Sequence, residues 1–254
     1  MALAALGCNP VLHCALGRDG HADQIKAACA ARDIALIVDE QDAPTPHHLN
    51  IMDHQGGRYS IILSNGPENP VIDQERIKGA IQSAQTIFLS LCQSSKQLLP
   101  LLAHTKAEVL LDVHDYDGEN PWYDDFIACA DVIQLSDVSL AEPDVVVGRL
   151  LSGRARQVVL TKGAAGAEIT TADARHVIPA MPARMCDSNG AGDAFSVALW
   201  YGLRAGLALD AAGEFAAAAA AFAIEDQSLF PPNVGPAQVR ARQAQTKPSG
   251  TDPK

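Results

Sequence analysis

Short apolar runs alternate with helix-length segments along most of the chain. Five runs have the length and the branched side chains of buried strands: residues 35–38, 86–90, 109–112, 132–135 and 158–161. Helix-length segments lie between them, among them residues 74–84, 94–104 and 124–130. This alternation predicts an α/β, doubly wound fold with a mainly parallel sheet flanked by helices. The alanine-rich residues 211–223 predict one further helix that packs closely on its neighbours.

Two of the predicted strands end on residues with functional side chains, Asp112 and Thr161. In an open parallel sheet, ligands bind beyond the carboxyl ends of the strands. We therefore expect Asp112 and Thr161 to face a ligand cleft.

Residues 49–64 interrupt the alternation. Two β-prone runs, 49–53 and 58–63, flank turn-prone residues that include Gly56 and Gly57, and this order predicts a β-hairpin. The hairpin is either a small lid over the cleft or an ordinary surface hairpin. We expect a single domain over residues 1–245 with the hairpin as its candidate lid, followed by a flexible tail over residues 246–254.

The composition narrows the classes of protein that this fold can serve. The chain has 254 residues, a formal net charge of −11 and no run of Lys or Arg, so nucleic acid is not an expected partner. No stretch approaches the roughly 18 apolar residues of a membrane span, and six cysteines are scattered without a C-x-x-C pair. We expect a cytoplasmic protein, without membrane contact, whose cysteines are small buried side chains. The acidic balance also requires that a phosphate site be built locally from backbone dipoles.

The segment that suggests chemistry begins at Asp187. Gly190 and Gly192 lack Cβ atoms and so allow backbone N–H groups to approach an anion closely. The apolar spacing that follows predicts a helix, whose positive N-terminal end would strengthen such a site. Asp193, in the first turn of that helix, could accept the proton of an attacking hydroxyl. Its alternative role is to complement the helix dipole, and the glycines alone would also suit an ordinary tight turn.

A motif around these residues resembles the signature Asp-Thr-x-Gly-Ala-Gly-Asp-x-Phe of the ribokinase-like carbohydrate kinases. Here it reads Asp187-Ser-Asn-Gly-Ala-Gly-Asp-Ala-Phe195. Residues 158–167 are similar to the family's strand and nucleotide-binding turn, residues 111–122 to its Asp-x-Asn…Trp stretch, and residues 16–20 to its Gly-x-x-Gly loop. The resemblance covers essentially the whole chain as far as about Val239.

This resemblance implies an ATP-dependent kinase for a sugar or nucleoside-like small molecule. It implies Asp193 as the catalytic base and the backbone of Gly190, Ala191 and Gly192 as the anion hole. It places ATP along the turn formed by Thr161, Lys162, Gly163, Ala164, Ala165 and Gly166, with Gly192 also near its phosphates. Mg²⁺ would arrive with ATP, and the backbone carbonyls of Asp187 and Asn189 could hold K⁺. Association into a homodimer is left open.

Three features depart from the family's pattern. The family begins with a strand, lid strands and a Gly-Gly-Asn motif, whereas this chain begins within the helix that follows them, so the expected lid is incomplete. The family's Asn-x-x-Glu, which organises Mg²⁺ and phosphate, falls on Ser136 and Ser139. The helix expected beside the adenine is nearly all alanine. These departures keep open a second hypothesis, a non-catalytic nucleotide- or metabolite-binding remnant of the same fold.

A polar cluster follows the third predicted strand and consists of Asp112, His114, Asp115 and Asp117. It could bind a metal, line the substrate cleft or form a solvated loop. Of these, we expect the solvated loop.

Overall fold

The computed structural model describes residues 1–52 and 58–245. Its strands are β1 (Val11–Leu16), β2 (Ala35–Glu40), β3 (His47–Met52), β4 (Arg58–Ser64), β5 (Thr86–Leu89), β6 (Glu108–Asp112), β7 (Val132–Ser136), β8 (Gln157–Thr161), β9 (Ala167–Thr171) and β10 (Arg175–Ile178). Its helices are α1 (Ala2–Ala5), α2 (Gly20–Ala30), α3 (Gln74–Ser83), α4 (Gln93–Lys96), α5 (Leu99–Leu102), α6 (Asp124–Ile127), α7 (Pro143–Leu151), α8 (Ala191–Arg204), α9 (Leu209–Ile224) and α10 (Pro236–Ala244). The tip of the predicted hairpin and the predicted tail, residues 246–254, lie outside the described residues.

Strands β5 to β10 form one sheet in the order β10-β9-β8-β7-β6-β5. Strands β5 to β8 run parallel to one another. Beyond β8, strand β9 runs antiparallel to β8, and β10 runs antiparallel to β9. Strands β1 and β2 pair in parallel, and β3 and β4 form the predicted antiparallel hairpin. Each of the strands predicted above is present, which confirms the α/β fold with a mainly parallel sheet.

Helices cover both faces of this sheet, because side chains alternate along its strands. On β8, Val159 packs with α8 and α9 on one face. Val158 and Leu160 pack with α7 on the other face. The carboxyl ends of β5 to β8 therefore lie at one edge of a three-layer domain.

Helix α9 is the alanine-rich helix predicted from the sequence, and it packs closely on α8. A Cβ atom added at Gly202 of α8 would lie 3.1 Å from the Cβ atom of Ala212 on α9, and Ala212 is fully buried. Small side chains thus bring the two helix backbones together. This contact holds α8, which carries Asp193 in its first turn, against the core.

Two sequence predictions need correction. Residues 94–104 form the two short helices α4 and α5 rather than one helix, because Pro100 lacks an amide hydrogen and its ring prevents a continuous helix. The cysteines are not uniformly buried: Cys29 is, but Cys92 and Cys186 are exposed, and all six are free thiols. Cys92 directly precedes α4, and its Sγ atom lies 3.1 Å from the hydroxyl of Ser95, so this thiol lies among polar groups rather than in the core.

No helix in the described part of the chain combines the length and the apolar character needed to cross a bilayer.

Candidate active site

The N-terminus of α8 forms the centre of the site. Gly190 precedes the helix with a left-handed backbone (φ 76°), and Ala194 closes the first helical hydrogen bond onto its carbonyl at 2.8 Å. The N–H groups of Ala191, Gly192 and Asp193 precede that bond, so no helical carbonyl accepts from them. Among the described residues no side chain caps this end of α8. These N–H groups and the helix dipole are suited to bind an anion. The anion hole predicted at Gly190, Ala191 and Gly192 stays a prediction.

The loop before α8 is held from two sides. The N–H groups of Cys186 and Asp187 donate to the carbonyl of Ile224 at the end of α9, at 2.9 and 3.0 Å. Within the loop, the Asp187 carboxylate accepts from the N–H of Asn189 at 2.7 Å. The approach of the chain to α8 is therefore fixed by α9 and by its own side chains.

The hairpin contacts this same loop. The Asn50 amide donates to Oδ1 of Asn189 at 2.8 Å, and the Ser60 hydroxyl donates to Oδ1 of Asn50 at 2.7 Å. The Sδ atom of Met52 lies 3.3 Å from the hydroxyl of Ser188. A lid would make contacts of this kind, and the role of the hairpin as a lid stays a prediction.

A cavity of about 140 Å³ opens beside Asp193. Its polar lining is Ser90, Asp112, His114, Asp193 and Ser196, and its apolar lining is Leu3, Phe88, Leu89, Leu110 and Val197. Asp193 is exposed, whereas Asp112 is largely enclosed. Burial raises the pKa of the Asp112 carboxyl, although it accepts hydrogen bonds from the backbone of His114 and from Gln134.

The polar cluster after β6 is therefore divided. Asp112 and His114 line the cavity. Because Asp112 is largely enclosed, the expectation of a solvated loop is wrong for this residue, whereas His114 is also exposed to solvent. Asp115 and Asp117 are exposed, and the Asp117 carboxylate accepts from backbone N–H groups of the following turn. The strand directs the first residues of the cluster into the cleft, and the chain then turns outward.

Gln134 is the residue of the site that the sequence reasoning missed. It lies in β7 and is only 3% exposed. Its Nε2 atom donates to Oδ2 of Asp112 at 2.7 Å and to the carbonyl of Gly192 at 3.0 Å. This bridge joins the carboxyl end of β6 to the first turn of α8. The signal in the sequence was a single amide within the apolar run of β7.

The turn predicted to bind ATP follows β8. Gly163 (φ 52°) and Gly166 (φ 94°) both have left-handed backbones, and the N–H of Lys162 donates to the carbonyl of Gly166 at 2.8 Å. A Cβ atom at Gly166 would lie 2.1 Å from the carbonyl of Ile178, so only glycine fits there. The Lys162 ammonium is paired with Glu168. The turn therefore offers a preformed backbone rather than a free positive side chain.

This turn and the N-terminus of α8 lie at the same edge of the sheet. Thr161 pairs with Ser136 in the register of β7 and β8, and its hydroxyl donates to the carbonyl of Leu135 at 3.2 Å. Gln134, one residue before Leu135, bonds to Gly192. The predicted ATP turn therefore follows β8, and the first turn of α8 is bonded to the neighbouring strand β7.

Two further segments named in the family resemblance, the loop at residues 16–20 and Ser136, form local hydrogen bonds. The Asp19 carboxylate accepts from the N–H of Ala22 at the start of α2 and from the N–H and hydroxyl of Thr45. These bonds lower the pKa of Asp19 to about 2, the Thr45 N–H contributing most. The Ser136 hydroxyl accepts from the N–H of Val138 at 3.3 Å. The loop at Asp19 thus joins α2 to the start of the hairpin.

No group of three or more His, Cys, Asp or Glu side chains within residues 1–52 and 58–245 is arranged to hold a metal ion. A Mg²⁺ ion bound mainly by phosphate oxygens and water needs only one or two protein carboxylates. Asp112, which lines the cavity beside Asp193, is of the type that could supply one.

Several solved structures share this fold. A microbiome-derived acarbose kinase is 24% identical, with a TM-score of 0.84 over 96% of this chain and 84% of that one. A ribokinase from Arabidopsis thaliana, solved with ribose and ATP, is 19% identical, with a TM-score of 0.79 over 95% of this chain and 84% of that one. These likenesses show that the fold is ribokinase-like.

The sequence comparisons give the family directly. A family model described as pfkB family carbohydrate kinase matches residues 1–233. The chain therefore belongs to the pfkB family of carbohydrate kinases. A curated relative, the acarbose 7(IV)-phosphotransferase of an Actinoplanes species, is 27% identical over 233 residues, which are 88% of this chain and 77% of that protein. The class of enzyme is a phosphotransferase.

Proposed function

We propose that this chain transfers the γ-phosphoryl group of ATP to a hydroxyl group of a sugar or nucleoside-like small molecule. The family supports the class of reaction. One observation carries the assignment of the site: Asp193 lies at the open N-terminus of α8 and lines the same cavity as Asp112 and His114. The acceptor would occupy this cavity, with the phosphates of ATP at the helix end.

In this mechanism Asp193 is the general base. Its carboxylate takes the proton of the acceptor hydroxyl while that oxygen forms a bond to the γ-phosphorus. The bond from the γ-phosphorus to its bridging oxygen breaks, and ADP leaves. The backbone N–H groups of Gly190, Ala191 and Gly192 donate to the charge on the transferred group, aided by the dipole of the 14-residue helix α8.

The turn from Thr161 to Gly166 would hold the phosphates and ribose of ATP. Because the Lys162 ammonium is paired with Glu168, the backbone of the turn would supply most of the contacts. Mg²⁺ bound to ATP would neutralise part of the phosphate charge. A K⁺ site at Asp187 and Asn189, a cytoplasmic location and a homodimer stay predictions.

The charge of the cavity favours an uncharged acceptor. Among the described residues its lining contains the carboxylates Asp112 and Asp193 and no Lys or Arg. The two carboxylates would repel an acceptor that carries a carboxylate or phosphate of its own. Relatives named for acarbose and ribose support a hydroxyl-rich, uncharged acceptor.

The alternative is a nucleotide-binding remnant without turnover, and the serines in place of Asn-x-x-Glu favour it. The hypotheses are separated by ADP release with Mg²⁺ and K⁺ present, using acarbose, ribose, other neutral sugars and nucleosides. The proposal predicts ADP release that depends on one of these acceptors, together with a phosphorylated product. If calorimetry shows that ATP binds but no acceptor causes ADP release, the remnant is supported instead.

A further inference from the structure

We infer that Gln134 is a positioning residue, which holds the first turn of α8, and with it Asp193, at the edge of the sheet. The inference rests on the proposed function, because it assigns the residue that orients the proposed base. Its basis is the pair of hydrogen bonds from Nε2 of Gln134 to Oδ2 of Asp112 (2.7 Å) and to the carbonyl of Gly192 (3.0 Å). Both N–H groups of this amide are thereby used, one on the sheet and one on the helix.

The burial of Gln134 carries an energetic cost as well as the two hydrogen bonds. Its Oε1 atom is buried and has no hydrogen-bond partner in the described part of the chain. An unpaired buried acceptor costs free energy, which an apolar side chain of the same length would avoid. The two bonds from Nε2 are the compensating feature, and one of them ends on the residue next to Asp193.

Gly192 allows the helix to sit directly on this bridge. A Cβ atom built on Gly192 would lie 3.4 Å from Nε2 of Gln134 and 3.6 Å from Oδ2 of Asp112. The backbone of the first turn is therefore in contact with both partners. A shift of this turn would move the Asp193 carboxylate with it, since the two residues are adjacent. Misplacement of a reacting group by about 1 Å can lower a rate by about 10²-fold.

The test is Gln134→Met, which keeps the length of the side chain and removes both bonds. Gln157→Met is its matched control, because Gln157 is also buried (5% exposed) in the same sheet but begins β8 at the opposite edge. We expect Gln134→Met to lower kcat for ADP release by about 10- to 100-fold and to weaken ATP binding by a smaller factor, because the same turn carries N–H groups of the proposed anion hole. The control should leave both values near those of the wild type.

Hydrogen exchange supplies a second readout that does not require turnover. In Gln134→Met, amides in a peptide covering residues 187–197 should exchange faster than in the wild type, whereas Gln157→Met should not change them. Gln134→Asn, whose shorter side chain cannot reach both partners, should behave like Gln134→Met and serves if that variant does not fold.

Unchanged kcat and unchanged exchange in a folded Gln134 variant would overturn the inference. Equal losses in the Gln134 and Gln157 variants would do the same, since they would indicate only a general effect on the sheet. If the wild type itself shows no turnover, the proposed function fails and the exchange measurement alone decides. Faster exchange in the Gln134 variant then supports the positioning role, and unchanged exchange refutes it.

Discussion

The side-chain amide of Asn50 donates a 2.8 Å hydrogen bond to Oδ1 of Asn189, and this bond joins the hairpin to the loop that leads into α8. Asn189 is adjacent to Gly190, where the proposed anion hole begins. The hairpin therefore contacts the loop beside the proposed phosphate site, although Asn50 and Asn189 are 139 positions apart in the sequence.

We predict that Asn50→Asp weakens ATP binding by about tenfold, which corresponds to about 1.4 kcal/mol. The new carboxylate would face the oxygen of Asn189 and would place a negative charge beside the proposed phosphate site. Asn50→Leu, which loses the hydrogen bond without adding charge, is the control and should have the smaller effect. Calorimetric titration with ATP gives both affinities. Equal losses in the two variants would contradict the placement of the phosphates.

Substitutions of increasing size at Gly192 test whether the N-terminus of α8 binds the phosphates of ATP. Gly192→Ala should be tolerated, because its Cβ atom would be at ordinary contact distance from Gln134 and Asp112. Gly192→Val should add carbon atoms that displace this pair or enter the anion hole, at a cost of about 1–3 kcal/mol. We expect ATP affinity near that of the wild type for Ala and at least about tenfold weaker for Val. Unchanged calorimetric affinity in a folded Gly192→Val protein would refute the placement of the anion hole.

The sequence predicted the sheet and the start of α8 because both depend on local patterns. Branched apolar runs indicated β5 to β8. The glycines before an apolar periodicity indicated that α8 begins after Gly190. Strand β1 was missed because His13 and Cys14 interrupt its apolar run. Strand β9 was not marked as a strand of its own because its buried positions alternate with more polar ones in a short run.

The rest of the site depends on which strands are neighbours, and that is not a local property. Asp112 could be recognised as a residue at a strand end, but its contact with Gln134 requires β6 and β7 to pair. The contact of Gln134 with Gly192 joins positions 58 residues apart. The pairing of Lys162 with Glu168 likewise requires the chain to return along β9.

Asp19 should give the protein a defined sensitivity to acid. Its pKa is lowered to about 2 in the folded chain, so its contribution to stability is complete above its ordinary pKa of about 4 and is lost as the pH falls toward 2. Asp19→Asn places an amide where the N–H of Thr45 needs an acceptor, and should lower Tm at pH 7. The difference in Tm from the wild type should shrink between about pH 4 and pH 2.

Asp23→Asn is the control for this titration, because Asp23 is exposed in the first turn of the same helix. Thermal melts from neutral to acid pH compare the three proteins. A difference between wild type and Asp19→Asn that is independent of pH would show that the charge of Asp19 does not stabilise the fold.

Two helical glycines should respond in opposite directions to alanine. A Cβ atom at Gly213 in α9 would lie 2.4 Å from Cδ1 of the buried Ile178, so Gly213→Ala should cost about 1–3 kcal/mol of unfolding free energy. Gly148 in α7 is exposed and has nothing within 4 Å of such an atom. Gly148→Ala should therefore stabilise the protein by about 0.5–1 kcal/mol. Urea denaturation measures both changes, and a stabilised Gly213→Ala protein would contradict the packing of α9 against Ile178.

The central claim is that Asp193 removes the proton of the acceptor. The most direct measurement is kcat for acceptor-dependent ADP release by Asp193→Asn, with Asp23→Asn as a control that also removes a first-turn acid from a helix. We predict that Asp193→Asn lowers kcat by about 10²- to 10⁴-fold while ATP affinity is kept or slightly increased, because a negative charge beside the phosphates is removed. The control should retain the activity of the wild type. Full activity of a folded Asp193→Asn protein would contradict the claim.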